Sequence, residues 1–202
     1  MNRKINYNFY HWGPFLYQTQ LEKKELNQIK KMCSKNNKDV RNTLAGIIKH
    51  EHAVNVKKLF PVIAPYVESY AQSYASYTGK TIGKNIELIA AWVNYMTKNE
   101  QNPLHTHDED LSFVIFTKVP KKLREESDNT IGNTKPGRLS FIINLTTDKS
   151  FINEHSFFPE EGNFFIFPAS LNHYVNSFQC EGERISVSGN LKVTEVINGK
   201  KI

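Results

Sequence analysis

The sequence has few cysteines and no long apolar run. Its two cysteines, Cys33 and Cys180, lie far apart and form neither a metal-ligand spacing nor a disulfide framework. No apolar stretch approaches the roughly 20 residues that a membrane-crossing helix needs, and the polar start of the chain is unlike a signal peptide. Internal repeats and low-complexity tracts are also lacking. The sequence therefore predicts a soluble cytoplasmic protein that does not act at a membrane.

Positive charge exceeds negative charge, but it is not concentrated in one place. The chain carries 26 Lys and Arg against 20 Asp and Glu, which gives a formal net charge of +6. The lysines are spread over many segments, whereas a nucleic-acid-binding surface gathers them in a patch or stripe. Charge alone therefore points to no class of partner.

Helical patterns dominate the first part of the chain. Residues 5–17 are aromatic and are broken by a Gly-Pro pair, which predicts a short strand and a turn. A helix should follow, with Thr19 as its cap, and His50 and His52 are also expected to lie on a helix. In residues 56–77 the apolar side chains recur at intervals of three and four, which predicts the strongest helix of the chain.

After residue 85 the pattern changes to short β-like runs separated by turn-forming residues. These runs are residues 86–96, 111–119, 139–145, 163–167 and 184–193. No connection is long enough for a series of βαβ units, so we expect an α+β fold with a curved antiparallel sheet or barrel-like core. We expect a single domain, residues 1–202, in which residues 1–84 support a β core of residues 85–195. The polar residues 121–136 predict a surface loop or lid.

Two histidines precede one of the predicted strands. If residues 105–109 are extended, His105, His107 and Glu109 point to one face of the strand. A third histidine, His173, follows a later apolar strand and a proline turn. Neutral imidazoles bind iron, zinc, copper and nickel, so the three histidines predict a metal site without selecting the metal.

An arginine and a serine lie on a strand that follows His173. Arg184 and Ser186 are two positions apart, so they share a face of the strand. An arginine that faces inward needs an anion, and the planar guanidinium suits a carboxylate. The sequence therefore predicts an anion-binding position on this strand.

This combination resembles the 2-oxoglutarate- and Fe(II)-dependent oxygenase superfamily, and in particular the members common among tailed phages. The resemblance covers roughly residues 92–190. In that superfamily a His-x-Asp pair and a later His bind iron, and an Arg-x-Ser grips the distal carboxylate of 2-oxoglutarate. The resemblance implies that His105, His107 and His173 bind the metal, and that Arg184 and Ser186 bind 2-oxoglutarate.

The resemblance extends upstream to Asn94, which lies eleven residues before His105. An asparagine at a similar position binds the co-substrate in the alkylated-base repair branch, so Asn94 is a candidate second anchor. It could instead be an ordinary strand asparagine that bonds a loop or solvent.

The chain departs from the superfamily pattern at His107, where the usual ligand is a carboxylate. Three ligand sets remain open from the sequence. One consists of the three histidines, one recruits Asp110 through a bulge after His107, and one shifts the pair to His107 and Glu109. The sets differ in charge, because three neutral imidazoles leave the metal's two positive charges uncompensated.

The resemblance implies a double-stranded β-helix, of the jelly-roll or cupin type, with N-terminal helices packed on its sheet. It also implies a dioxygenase that uses Fe(II), 2-oxoglutarate and O2, releases succinate and CO2, and hydroxylates a C–H bond. The expected substrate is a protein side chain, with a nucleobase or a small molecule next, and a phage-encoded member would act in the host cytoplasm. The alternatives are a cupin-like metal-binding structural or regulatory module, and a zinc- or manganese-dependent isomerase or hydrolase.

Overall fold

The computed structural model describes residues 13–83, 85–132, 135–143, 153–194, 196–197 and 200–201. Along the chain its elements are β1 (Tyr17–Gln20), α1 (Lys23–Met32), β2 (Glu51–Ala53), α2 (Val56–Thr78), β3 (Asn85–Met96), β4 (Asn102–His105), β5 (Leu111–Lys118), α3 (Lys121–Asn129), β6 (Leu139–Ile142), β7 (Glu154–Phe157), β8 (Asn163–Pro168), β9 (Asn172–Val175), β10 (Arg184–Thr194), β11 (Val196–Ile197) and β12 (Lys200–Lys201). A short 3-10 turn, Arg41–Thr43, lies between α1 and β2.

Two antiparallel sheets contain most of the strands. The larger sheet has the order β1-β8-β5-β10-β3-β2, and the smaller sheet has the order β4-β9-β6-β7. From β3 onward the chain passes repeatedly from one sheet to the other, so neighbouring strands are mostly distant in sequence. This connectivity gives the jelly-roll-like arrangement that the sequence predicted.

The larger sheet is covered on both faces. On one face α1 and α2 bury apolar side chains, among them Ile29, Leu59 and Ile63. On the other face the smaller sheet packs through aromatic contacts, with the rings of Phe141 and Phe167 4.9 Å apart. Removal of these large apolar surfaces from water stabilises a three-layer arrangement of helices, larger sheet and smaller sheet.

The longest helix, α2, has clear signals at both ends. The side chain of Asn55 accepts a hydrogen bond of 3.1 Å from the backbone N–H of Lys58, and Gly79 ends the helix in the left-handed conformation with a φ of 70°. The helix buries Leu59, Ile63, Val67 and Tyr70. The prediction of a helix over residues 56–77 is therefore confirmed.

Among the helices in the part of the chain that the structure describes, none has the length and apolar character to cross a membrane.

The five predicted strands correspond to β3, β5, β6, β8 and β10. Residues 144–145 of the third run, and residues 5–12 of the N-terminal aromatic segment, lie outside the described residues. Sequence patterns missed β2, β4, β7 and β9, which have only three or four residues each. Such short strands are held by their neighbours and carry too few positions to show alternation.

Three local predictions are wrong. The N-terminal half of the expected loop, residues 121–136, is the helix α3, which buries Leu123 and Ser127 four positions apart. Thr19 lies in β1 instead of capping a helix, because α1 begins only at Lys23. The segment around His52, expected to be helical, contains the strand β2.

Gly189 allows a close approach at the centre of the larger sheet. An ideal Cβ at this position would lie 2.5 Å from the carbonyl oxygen of Ala90 and 2.6 Å from the Phe113 ring. We expect Gly189→Ala to lower the free energy of unfolding by about 1–3 kcal/mol, since neither backbone nor buried ring can move freely. Urea unfolding would measure the change. Ser76→Ala, at an exposed position of α2, should change it by less than about 0.5 kcal/mol, and an equal effect of both variants would contradict the crowding argument.

Candidate metal centre

Three histidines meet between the two sheets. Two of them lie in the strands β4 and β9, and the third, His107, lies just after the end of β4. His105 ends β4 and is the cross-strand partner of His173 in β9. Ring centroids are 4.2 Å apart for this pair, and 5.1 Å from His107 to each of the other two rings. One potential ligand atom from each residue lies within 4.8 Å of the other two. The three imidazoles can therefore bind a single metal ion.

Hydrogen bonds to backbone carbonyls orient two of these rings. The Nδ1 atom of His105 lies 2.7 Å from the carbonyl oxygen of Pro103, and the Nδ1 atom of His173 lies 2.9 Å from that of Leu171. Because a carbonyl oxygen can only accept, Nδ1 carries the proton in both rings. Each Nε2 then keeps a lone pair for a metal. The backbone N–H of His107 donates to the carbonyl oxygen of Ala169, which ties this segment to the turn before β9.

Burial keeps the three imidazoles neutral. Desolvation, followed by the neighbouring His105, lowers the pKa of His107 to about 4 and that of His173 to about 3. Desolvation also lowers the pKa of His105. The neutral form is the one that coordinates a metal, so these rings need not lose a proton near pH 7 to do so.

The two carboxylates considered as alternative ligands bind other groups. Asp110 accepts a 2.7 Å hydrogen bond from the backbone N–H of Val193 and lies 3.4 Å from the amine of Lys192. Glu109 lies 3.7 Å from the same amine. No carboxylate of the described residues belongs to the three-histidine cluster. The geometry therefore favours the three-histidine set over the sets with Asp110 or Glu109.

Arg184 is a buried cation without an anionic partner among the described residues. Its side chain is 2% exposed and points from β10 into the cavity that the three histidines line. Its guanidinium stacks on Phe116 at 4.6 Å and donates weakly to the sulfur of Met96 at 3.8 Å. The Nε and Nη2 atoms have no hydrogen-bond partner in the described part of the chain. Burial lowers the pKa of Arg184 to about 9, and an anion in the cavity would stabilise its charged form.

Ser186 and Asn94 lie beside Arg184 on the same inward face. They are cross-strand partners in β10 and β3. The amide nitrogen of Asn94 donates long hydrogen bonds of 3.4 Å to the hydroxyls of Ser186 and Ser188, while its Oδ1 atom is buried without a partner among the described residues. The structure thus brings all six residues singled out in the sequence to one cavity.

Sequence patterns missed part of this cavity. Glu51, Asn102 and the segment of residues 44–46 also line it. The position of Glu51 could not be recognised from the sequence because its strand, β2, has only three residues. Residues 44–46 gave no pattern because they belong to an irregular connection. The flanking His50 and His52 could have given a signal, because alternation in a strand puts the intervening Glu51 on the opposite face.

Replacement of Arg184 by an apolar residue should stabilise the protein without ligands. We expect Arg184→Met to raise the free energy of unfolding by about 1–3 kcal/mol, because methionine removes a desolvated, unpaired charge and keeps much of the side-chain volume. Urea unfolding in a buffer without carboxylates or phosphate would measure the change. Lys98→Met, at an exposed ion pair with Glu181, should change it little, and a less stable Arg184→Met variant would show that the guanidinium already has a partner.

Comparison with known proteins finds one matching family and several solved structures with a similar fold. A family profile described as "Putative 2OG-Fe(II) oxygenase" matches residues 90–190. Curated protein sequences give no significant match. Similar solved structures include a prolyl-4-hydroxylase from Pseudomonas putida (TM-score 0.58, 12% identity, 88% of this chain and 92% of that chain covered). They also include a viral collagen prolyl hydroxylase from Paramecium bursaria Chlorella virus-1 (TM-score 0.54, 11% identity, 88% and 96% covered). A third is iron-bound HygX from Streptomyces hygroscopicus (TM-score 0.53, 9% identity, 90% and 82% covered).

These structures confirm the predicted α+β double-stranded β-helix. The family match covers half of the chain and includes all six candidate site residues. The chain therefore belongs to the 2OG-Fe(II) oxygenase family, whose members use iron and 2-oxoglutarate.

Proposed function

We propose that His105, His107 and His173 bind Fe(II), and that Arg184 and Ser186 bind the distal carboxylate of 2-oxoglutarate. The observation that carries this proposal is the buried, unpaired guanidinium of Arg184 in the same cavity as three neutral imidazoles. A dicarboxylate that reaches from the metal to Arg184 would satisfy both groups. Asn94 lies next to Ser186, and we assign it as a second polar anchor for the co-substrate.

The donor set fits the iron and 2-oxoglutarate of the family. Three neutral nitrogen ligands suit Fe(II), and His105, His107 and His173 would hold it in the cavity that Arg184 also lines. When bound, iron and 2-oxoglutarate would supply an oxidative decarboxylation that consumes one O2, leaving one oxygen atom in succinate, which is released with CO2, and the other in the hydroxylated substrate. The protein contributes orientation and a water-poor cavity, in which Arg184 and Ser186 fix one end of the co-substrate and the histidines fix the other.

We propose that the reaction is hydroxylation of a C–H bond in a protein side chain. An open groove of about 580 Å³ leads to His105 and His107, and apolar side chains of Leu44, Val54 and Val56 line it. This volume is in the range of sites that enclose a side chain or small ligand. Several similar structures are prolyl hydroxylases, and one of them, from Trichoplax adhaerens, is in complex with a peptide fragment. These likenesses favour a peptide over a nucleobase.

The co-substrate assignment can be tested by anaerobic titration. Addition of Fe(II) and then 2-oxoglutarate should give a weak visible charge-transfer band from the chelate. Arg184→Met should retain Fe(II) but weaken 2-oxoglutarate binding by about 100-fold, because the loss of a buried charge-assisted contact costs roughly 2–5 kcal/mol. Arg124→Met removes an exposed arginine paired with Glu160 and should behave like the unchanged protein. If the unchanged protein shows no band and consumes no 2-oxoglutarate, a metal-binding module without oxygenase activity becomes the better interpretation.

The ligand set can be tested with two matched variants. His107→Ala should weaken Fe(II) binding by at least about tenfold, since it removes one of three protein ligands. Asp110→Asn should keep Fe(II), because the Asp110 carboxylate binds the backbone N–H of Val193 instead. Isothermal titration calorimetry with Fe(II) under anaerobic conditions would measure both. Loss of Fe(II) binding in Asp110→Asn alone would move the ligand set to Asp110.

A further inference from the structure

The cavity contains a buried carboxylate that the proposed chemistry does not use. Glu51 is 1% exposed and begins β2 at the edge of the larger sheet. Its cross-strand partner is Asn94, which in turn is paired with Ser186. Since directly paired residues point to the same face of a sheet, Glu51 belongs to the same inward-facing row as the co-substrate anchors. It lines the same cavity as the three histidines and Arg184.

Among the described residues Glu51 forms no ion pair, and the positive charge of Arg41 only partly offsets the effects that raise the pKa of Glu51. Its Oε2 atom is buried without a hydrogen bond, and no ion pair joins Glu51 to a Lys, Arg or His of the described residues. Desolvation, followed by the nearby Glu100 carboxylate, raises its pKa to about 7. Glu100 itself is satisfied by the backbone N–H groups of Lys49 and Thr97. Glu51 is therefore a carboxylate that a positive charge in the cavity would stabilise.

Gly46 makes room for this carboxylate. A Cβ at Gly46 would lie 2.6 Å from the Oε1 atom of Glu51 and 2.6 Å from the Oδ1 atom of Asn102. Only glycine leaves both side chains where they are, because any larger residue would overlap two polar groups that line the cavity. The Glu51 carboxylate thus lies inside the cavity, next to the backbone of Gly46.

The charges of the loaded site show what Glu51 can do. Fe(II) brings two positive charges, Arg184 brings one, and 2-oxoglutarate brings two negative charges. A carboxylate at position 107, as in the superfamily pattern, would make the total zero, but His107 is neutral and leaves one positive charge in excess. We propose that Glu51 supplies this missing negative charge from outside the ligand set, so that the loaded cavity is neutral. The inference rests on the proposed function, since it requires Fe(II) and 2-oxoglutarate in this cavity.

A negative charge on Glu51 changes the affinities for Fe(II) and for 2-oxoglutarate in opposite directions. An ionised Glu51 attracts the metal cation and repels the co-substrate dianion, and both interactions are strong in a buried site. Replacement by a neutral side chain should therefore weaken Fe(II) binding and tighten 2-oxoglutarate binding to the iron-loaded protein. A merely structural loss would weaken both, so the opposite signs identify the role of the charge.

The experiment uses three substitutions at this position. Glu51→Gln and Glu51→Met are neutral and similar in size to glutamate, whereas Glu51→Asp keeps the charge. At pH 8 under anaerobic conditions, Fe(II) affinity is measured by competition with a chromophoric chelator, and 2-oxoglutarate affinity by the charge-transfer band. Both neutral variants should bind Fe(II) on the order of tenfold more weakly and 2-oxoglutarate severalfold more tightly. Glu51→Asp should stay within about threefold of the unchanged protein for both ligands.

The other results would each overturn the inference. If the neutral variants bound both ligands with unchanged affinity, the charge of Glu51 would not contribute to ligand binding. If they bound both ligands more weakly, the role of Glu51 would be structural. If Glu51→Met alone lost 2-oxoglutarate affinity, the side chain would act as a neutral hydrogen-bond donor, which glutamine can replace. Thermal unfolding monitors the fold, and failure of both neutral variants to fold would also contradict the inference, because a neutral residue should be tolerated there. A failure of the proposed function is distinct, since the unchanged protein itself would then bind no 2-oxoglutarate.

Discussion

The register of β10 between β3 and β5 is the constraint on which the site depends. Side chains alternate along a strand, so the pairing of Ser186 with Asn94 determines that Arg184 and Ser188 also face the smaller sheet. A slip by one residue would turn all three side chains towards the helices and bring Val187 into the cavity. That slip is prevented by the apolar packing of Val187 against the helical side. The chemistry on one face of the sheet is thus fixed by hydrophobic burial on the other.

A second pairing completes the site. His105 and His173 are cross-strand partners in the smaller sheet, so the two imidazoles are brought together by the backbone and not by long, mobile side chains. Since the sheets pack face to face through rings such as Phe141 and Phe167, the histidines of one sheet face Arg184 and Asn94 of the other. The candidate metal ligands and the candidate anion-binding residues therefore lie on opposite walls of one cavity, and a ligand that contacts both walls would stabilise the packing of the two sheets.

Much of this arrangement could be predicted from the sequence, because its signals are periodic. The apolar spacing in α2, the five longer strands, and the spacings His105-x-His107 and Arg184-x-Ser186 depend only on residues close in the chain. Glu51 and α3 could not be placed in the same way. The strand of Glu51 has three residues and exists because β3 offers it an edge, and α3 has a polar sequence whose buried Leu123 and Ser127 are too few to show a helical stripe. The sequence also left open which histidines and carboxylates form the cluster. The Asp110 carboxylate binds the backbone N–H of Val193 instead, and Val193 lies more than eighty positions later in the chain.

The separation of opposite charges inside the cavity explains why it can accept a ligand at all. Glu51 and Arg184 lie on β2 and β10, with β3 between them. The two strands are roughly 10 Å apart, twice the spacing of neighbouring strands, and Arg184 is also two residues along β10 from Ser186, which is level with Glu51. On adjacent strands the two side chains could form an ion pair, and neither would then be available to a metal or a dianion. Asn94 on β3 lies between the two strands and donates a hydrogen bond to Ser186, the neighbour of Arg184 on the same face of β10, which keeps this space polar without neutralising either charge. Neither group has an ion-pair partner among the described residues, so a charged Arg184 and an ionised Glu51 are held at a cost in stability that a metal with a dicarboxylate would relieve.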